Sequence, residues 1–285
     1  MTLRYMVAFF GEDQLVGEID ELGAEAWHSA LAEGKLSGCR DPRRGDKLLS
    51  ENTLRGRVRT AKSIFGWCKA HRLIRVSPFA EFTGAAVPTA PNPYVTLEDY
   101  RAVCEHAPPA WAAMFSLCRL AGLRRSEALG LLWNGTAADV SGVEHAVGIN
   151  WDAFPDIEPG LGLISLVGKA GRYRQVPIQP ELMAVLTATL DKSPVGSVRV
   201  CQAITTVAIH HAFREFCKAA GVNPWAKPYQ SLRSSCENDW KEQGIPEPTY
   251  LSWLGHSMEV SRRHYVTPIP SEFVKVCNPA LPGSD

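Results

Sequence analysis

Between Ala85 and Val95 the chain reads AAVPTAPNPYV, a run of residues with three prolines and no charge. Proline locks φ, donates no backbone hydrogen bond and pushes the residue before it toward extended backbone, so this stretch suits neither a helix nor a sheet interior. It reads as an extended linker. Whatever folds must fold on one side of it or the other. At 285 residues that leaves room for a small domain over residues 1–84 and a larger one over residues 96–285.

The two parts differ in charge. The totals cancel, with 30 Lys+Arg against 30 Asp+Glu. Residues 1–34, however, hold one basic residue and seven acids, whereas residues 35–76 hold twelve basic residues and three acids. Such a block marks a surface for a polyanion, although a charge run is more commonly a solvated helix face. Within it Leu54, Val58, Ala61, Phe65 and Cys68 recur at steps of four and three, which predicts a helix over Thr53–His71 with one apolar side. Arg55, Arg59, Lys62 and Lys69 fall mostly off that side. With Arg43, Arg44 and Lys47 just upstream, they are the candidate phosphate contacts of a nucleic-acid-binding domain. Helices are also expected around Leu3–Phe10 and Glu18–Glu33, so residues 1–84 read as a small helical domain.

Beyond the linker, Thr96 can cap a helix that carries Asp99 at its third position. Trp111–Ala121 is an apolar helix stopped at Gly122, and Ser126–Leu132 begins another. Gly162–Val167 and Tyr173–Ile178 read as the strands of a hairpin around Gly168-Lys169-Ala170-Gly171, with a further strand placed near Val147–Trp151. Helices are expected at about Pro180–Leu190, Ala203–Ala220, Ser231–Gln243, Pro246–Leu254 and Met258–Tyr265. The fold class is mainly α, the second domain being α+β with a small antiparallel sheet.

Composition narrows the function classes. A 45% apolar and 21% charged chain is globular. No apolar run approaches the ~18–20 residues of a membrane helix. Met6–Gly11 is too short for a secretory signal and runs into Glu12-Asp13, so a cytoplasmic protein is expected. The eight cysteines show no CxxC and no repeated spacing, which argues against a disulfide framework or a zinc site. Gly168-Lys169 lacks the upstream glycine of a nucleotide-binding loop and is followed by Ala170. No metal and no cofactor are expected.

Reactive side chains gather at element ends. Arg124 follows Gly122 and opens a helix, while Arg233 is expected in the first turn of a helix that Ser231 can cap. Arginine at a helix N-terminus adds a bidentate fork to an anion site. Lys169 holds the hairpin tip, His256 follows Leu254-Gly255, and Tyr265 lies nine residues later. Singly, each has a plainer reading as a surface arginine, a solvated lysine, a capping histidine or a core tyrosine. In order and local context they say more. The segments Ala121-Gly122-Leu123-Arg124-Arg125-Ser126-Glu127-Ala128-Leu129, Val167-Gly168-Lys169-Ala170-Gly171-Arg172-Tyr173-Arg174-Gln175-Val176-Pro177, Ser231-Leu232-Arg233 and Leu254-Gly255-His256, with Tyr265 beyond, resemble the tyrosine recombinase (phage integrase) family. The resemblance spans about residues 96–267. It extends more loosely to residues 1–84, which look like that family's helical core-binding domain closing on Ser77-Pro78-Phe79.

The resemblance implies a site-specific recombinase acting on double-stranded DNA. In it Tyr265 attacks the scissile phosphate to give a 3′-phosphotyrosyl link, Arg124 and Arg233 hold the non-bridging oxygens, Lys169 protonates the leaving 5′-oxygen and His256 donates to the phosphate. Glu127 matches an acid that orients Arg124. It further implies a homotetramer on paired sites, with accessory DNA-bending proteins as expected partners. Two departures stand out. Gln230 occupies the place, three residues before the second arginine, where the family usually has histidine, and Asn134–Leu161 is longer than the usual path to the sheet. Many integrases also carry an N-terminal arm-binding domain, to which nothing in this sequence corresponds. A type IB topoisomerase-like nicking enzyme and a catalytically weakened DNA-binding relative are the alternatives left open.

Overall fold

The computed structural model describes residues 2–36, 48–85, 87, 90–156, 160–202, 204 and 209–255. The chain divides into two compact units, Met1–Ala90 and Pro91–Asp285.

The first unit is helical. It contains α1 (Thr2–Phe10), a 3-10 turn at Val16–Glu18, α2 (Glu21–Ala32) and α3 (Glu51–Ala70). Side-chain caps set the helix starts. Asp20 Oδ1 accepts from the Gly23 N–H at 2.8 Å and opens α2, and Ser50 does the same for α3 through Thr53 N–H. The apolar side expected on the basic helix is present, since Leu54, Val58, Ala61, Phe65 and Cys68 are all buried. Phe79 is the keystone of this core. Its ring meets Trp27 edge-on at 5.5 Å and Phe65 at 4.9 Å.

The polar side of α3 does something the sequence did not suggest. The described residues after Phe79 lie along this side, and Lys62 Nζ donates to the carbonyls of Ala80 at 2.6 Å and Phe82 at 2.7 Å. Arg59 donates twice to Gly84 O, Arg55 to Ala85 O, and Asn52 exchanges two hydrogen bonds with the Val87 backbone. The steps from 52 to 55, 59 and 62 are helical, so four side chains form one comb that takes up backbone groups of Ala80, Phe82, Gly84, Ala85 and Val87.

The second unit contains α4 (Leu97–Glu105), α5 (Pro109–Leu120), α6 (Arg125–Gly130), β1 (Asn134–Ala138), β2 (Glu144–Asn150), β3 (Gly162–Val167), β4 (Tyr173–Ile178), α7 (Pro180–Asp191), α8 (Ile209–Ala219), α9 (Pro228–Glu242) and α10 (Glu247–Leu254). The fold class is as expected, mainly helical with one small antiparallel sheet. That sheet has four strands in the order β1-β2-β3-β4, each antiparallel to the next. The expected strand at Val147–Trp151 is the end of a longer one, and β1 was not foreseen. Polar and small residues in Asn134–Ala138 hide it. The turn back to β2 is held by Asp139, whose Oδ1 accepts from Ser141 and Val143 N–H. Of the expected helix Ala203–Ala220, residues 209–219 are helical, and the segment Met258–Tyr265 lies outside the described residues.

Helix α5 is the central rod, with every residue from Ala113 to Leu120 buried. Its Arg119, 1% exposed, donates to Val95 O at 3.1 Å and to Asp239 Oδ2 at 2.5 Å. Tyr94 OH completes the cluster by donating to the other Asp239 oxygen. Burial and this bond to Asp239 push the Tyr94 phenol up to about 12. The last two residues of the expected linker are thus fastened to the second core.

Candidate active site

Three interlocking features build the site. The first is the turn from α5 into α6. Gly122 ends α5's layer, and Arg124 takes the N-cap position of α6. Glu127, three residues on, accepts from the Arg124 backbone N–H at 2.8 Å and from its guanidinium at 2.9 Å. The second is the β3–β4 hairpin, whose tip Lys169–Gly171 forms a 3-10 turn with Lys169 exposed. The third is the start of α9. Pro228 stands at its first position, where a missing N–H costs nothing. Lys227 before it adopts left-handed backbone, φ 46. Gln230 and Arg233, three apart, share one face of that helix. Arg233 lies in the second turn, not the first as expected, and Ser231 does not cap. Its hydroxyl is inside the helix and donates back to Ala226 O. The signal that places the start three residues earlier is Pro228.

Arg124, Lys169, Gln230 and Arg233, drawn from three separated stretches of sequence, line a single cleft of about 590 Å³. Arg125, Ser126, His210, Lys227, Pro228 and Tyr229 complete the lining. Five of these ten residues are Lys or Arg and none is a carboxylate, so the described lining of the cleft is strongly cationic. Arg233, 2% exposed, forms its floor. His256 and Tyr265 lie outside the described residues, as do Arg43, Arg44 and Lys47. The other expected DNA contacts divide. Arg55, Arg59 and Lys62 have head groups on the carbonyl comb described above, while Lys69 is exposed near the end of α3.

Behind the cleft sits a residue that the sequence shows only as one position of a motif. Arg174, buried on β4, grips both oxygens of Glu127, at 2.7 and 3.2 Å, and donates to Trp253 O at 2.7 Å. Arg233 donates to Leu254 O at 2.7 Å and to Gly122 O, and Arg124 donates to Gly255 O at 3.0 Å. Three consecutive carbonyls at the C-terminal end of α10 are therefore each taken by a different arginine. Cations belong there, because unpaired carbonyls give a helix C-terminus partial negative charge. Gly255 ends the helix with φ 67 and leaves the chain at the arginine cluster, immediately before His256. Gly168 is equally constrained. A Cβ there would lie 2.2 Å from an Arg174 nitrogen, so the lysine-bearing hairpin can meet the arginine–glutamate clasp only without a side chain at this position.

Glu127 is the counter-charge of the cluster. Burial alone would raise its carboxyl, but the hydrogen bonds and charge of Arg174, with the N–H and charge of Arg124, outweigh that and hold it down to about 2. Arg233 lies 3.9 Å from the same carboxylate. One buried anion thus orients three guanidiniums. Each carries five donors, so Arg124's bonds to Glu127 and Gly255 leave donors over for a ligand.

The second unit's arrangement of helices around a four-stranded meander is the fold of the tyrosine recombinases, and solved structures align with nearly the whole chain. No protein-family model and no curated protein sequence matches it. The chain is similar in fold to XerH site-specific recombinase bound to a palindromic difH substrate. The TM-score is 0.61 at 16% identity, over 96% of this chain and 75% of that one. It is similar to a lambda integrase dimer bound to a COC′ core site, with TM-score 0.59 at 14% identity over 94% and 89% of the two chains. The Tn1549 transposon integrase in complex with a circular intermediate DNA gives 0.59 at 14% identity, over 98% and 92%. At these identities the likeness establishes fold. Among the described residues no helix is long and apolar enough to cross a membrane.

Proposed function

We propose that this protein is a site-specific DNA recombinase that cuts and rejoins duplex strands through a 3′-phosphotyrosyl intermediate. The observation that carries the reading is the meeting of Arg124, Lys169, Gln230 and Arg233 on one cation-lined cleft, although Arg124 and Arg233 are 109 positions apart in the chain. A phenol, with an ordinary pKa near ~10, is a poor nucleophile at neutral pH. Two guanidiniums that never lose their protons favour the phenolate and stabilise the charge that builds on the phosphoryl oxygens.

In the proposed step the Tyr265 phenol gives up its proton, which His256 helps to take, its oxygen forms a bond to phosphorus, the bond from phosphorus to O5′ breaks, and Lys169 gives its proton to O5′. The 3′ end stays on the tyrosine. Attack by a 5′-hydroxyl reverses the step, with bond energy conserved and no ATP consumed. His256 is proposed to donate to the phosphate. Gln230 can hydrogen-bond an oxygen but carries neither proton nor charge. Duplex DNA is the proposed partner, bound by a homotetramer on paired sites with accessory bending proteins, in the nucleoid.

Nicked duplexes provide the test, because loss of a short 5′-hydroxyl fragment prevents religation and traps the adduct. The wild-type chain should become covalently attached to DNA, and Tyr265→Phe should abolish attachment while DNA retention persists. Retention without any adduct from the wild type would instead support the weakened DNA-binding relative that Gln230 suggests. Relaxation of supercoiled plasmid with no recombinant products would favour the topoisomerase-like reading.

A further inference from the structure

The cleft's described lining is dominated by guanidiniums and ammoniums, which donate hydrogen bonds and accept none, beside the Gln230 carboxamide, which carries no ionisable proton. The Tyr229 phenol is pushed up by burial, and its hydroxyl is occupied with the Ile209 carbonyl at 3.1 Å. His210 is the exception. Its imidazole can both donate and accept a hydrogen bond.

Its placement is fixed from below. His210 is the second residue of α8 and is exposed, next to Ile209, which is buried. The bond from Tyr229 to the Ile209 carbonyl ties the start of α8 to the start of α9. The buried Tyr229 ring then serves as a platform. The His210 ring lies 6.0 Å from it at 57°, the Arg125 guanidinium 5.8 Å from it, and Phe115 backs it at 6.2 Å. Gln230, next in the chain to Tyr229, and His210, next to it in space, therefore face the same cleft from two helices.

We infer that His210 is a catalytic residue of this cleft, its imidazole hydrogen-bonding a non-bridging oxygen of the bound phosphodiester where Gln230 brings no ionisable group. The inference rests on the recombinase reading and deepens it by naming a phosphate ligand that lies 20 residues upstream of Gln230.

The test uses the full chain and a pool of nicked duplexes of random sequence, scoring the rate of covalent attachment beside DNA retention and thermal melting. Loss of one donor to a developing oxyanion slows catalysis by roughly 10²–10³-fold, so His210→Ala should lower the attachment rate by about that factor, with melting unchanged. Introducing Gln230→His into His210→Ala should restore much of the rate, because it returns an imidazole to the same cleft. His211→Ala, altering the neighbouring exposed histidine that does not line the cleft, should have no effect. An attachment rate for His210→Ala within about twofold of wild type, in an active wild-type background, overturns the inference and leaves the recombinase reading standing. A wild type that retains DNA without ever forming an adduct overturns both.

Discussion

At the scale of single residues, Glu127 does most to shape the site. Its carboxyl, ordinarily 4.5, is held to about 2 in the fold. A depressed folded pKa contributes stability that is fully present above the unfolded value and is lost as pH falls toward the folded one. The shift corresponds to something on the order of 3 kcal/mol. Glu127→Gln should therefore be less stable than wild type at pH 7 by about that amount, and denaturant titrations should show the gap closing between pH 4.5 and 2. A gap of constant size across that range would mean that the carboxylate's charge does not hold the arginines. Lys169 is checked through its leaving group. Lys169→Ala should cripple cleavage of ordinary nicked DNA by roughly 10²–10⁴-fold, and a 5′-bridging phosphorothiolate, which needs no proton on departure, should restore it. Failure of rescue would remove Lys169 as the acid. Arg174 shows what residue-level reading missed. Its one available signal is an arginine at an inward position of a strand whose alternate residues Val176 and Ile178 are buried.

At the scale of elements, helix α3 carries both the clearest success and the clearest surprise. Its apolar side was legible because burial imposes a period on the sequence. The task of its charged side was not, because a periodic pattern says which residues avoid the core and not what they touch. Lys62 and Arg59 bind backbone carbonyls of residues 80–84. Hydrogen bonds to charged groups contribute about 1.5–3 kcal/mol each. Lys62→Met and Arg59→Ala should accordingly destabilise the DNA-free protein by about 1–3 kcal/mol in urea titrations. Side chains that served only as phosphate contacts would leave that stability untouched and alter only the salt dependence of binding. The start of α9 gives the same lesson in miniature. Ser231 had the chemistry of a cap, but Pro228 set the boundary, and Arg233 moved from the first turn to a buried place in the second.

At the scale of the whole molecule, each unit has its own hydrophobic core. Phe79 belongs to the first. Phe79→Ala should cost about 3–5 kcal/mol, and the loss of hydrogen-exchange protection should be confined to residues 2–87. Equal loss of protection in α5 would show that the two cores unfold as one. Where this molecule's information resides follows from the range of the forces involved. Prolines between 88 and 93, the apolar period of α3, the apolar run of α5, the hairpin around Lys169 and the cap at Thr96 are local, set by steric and burial rules acting over a few residues, and the sequence alone determined them. The polar and small residues of β1 carried no comparable signal. The grip of three arginines on the end of α10, the clasp of Arg174 on Glu127 and the meeting of His210 and Gln230 on one cleft join residues from separate elements of the chain. Only the tertiary structure decided them, because a charge or a hydrogen-bond donor finds its partner by distance in space, and that distance exists only once the chain has packed.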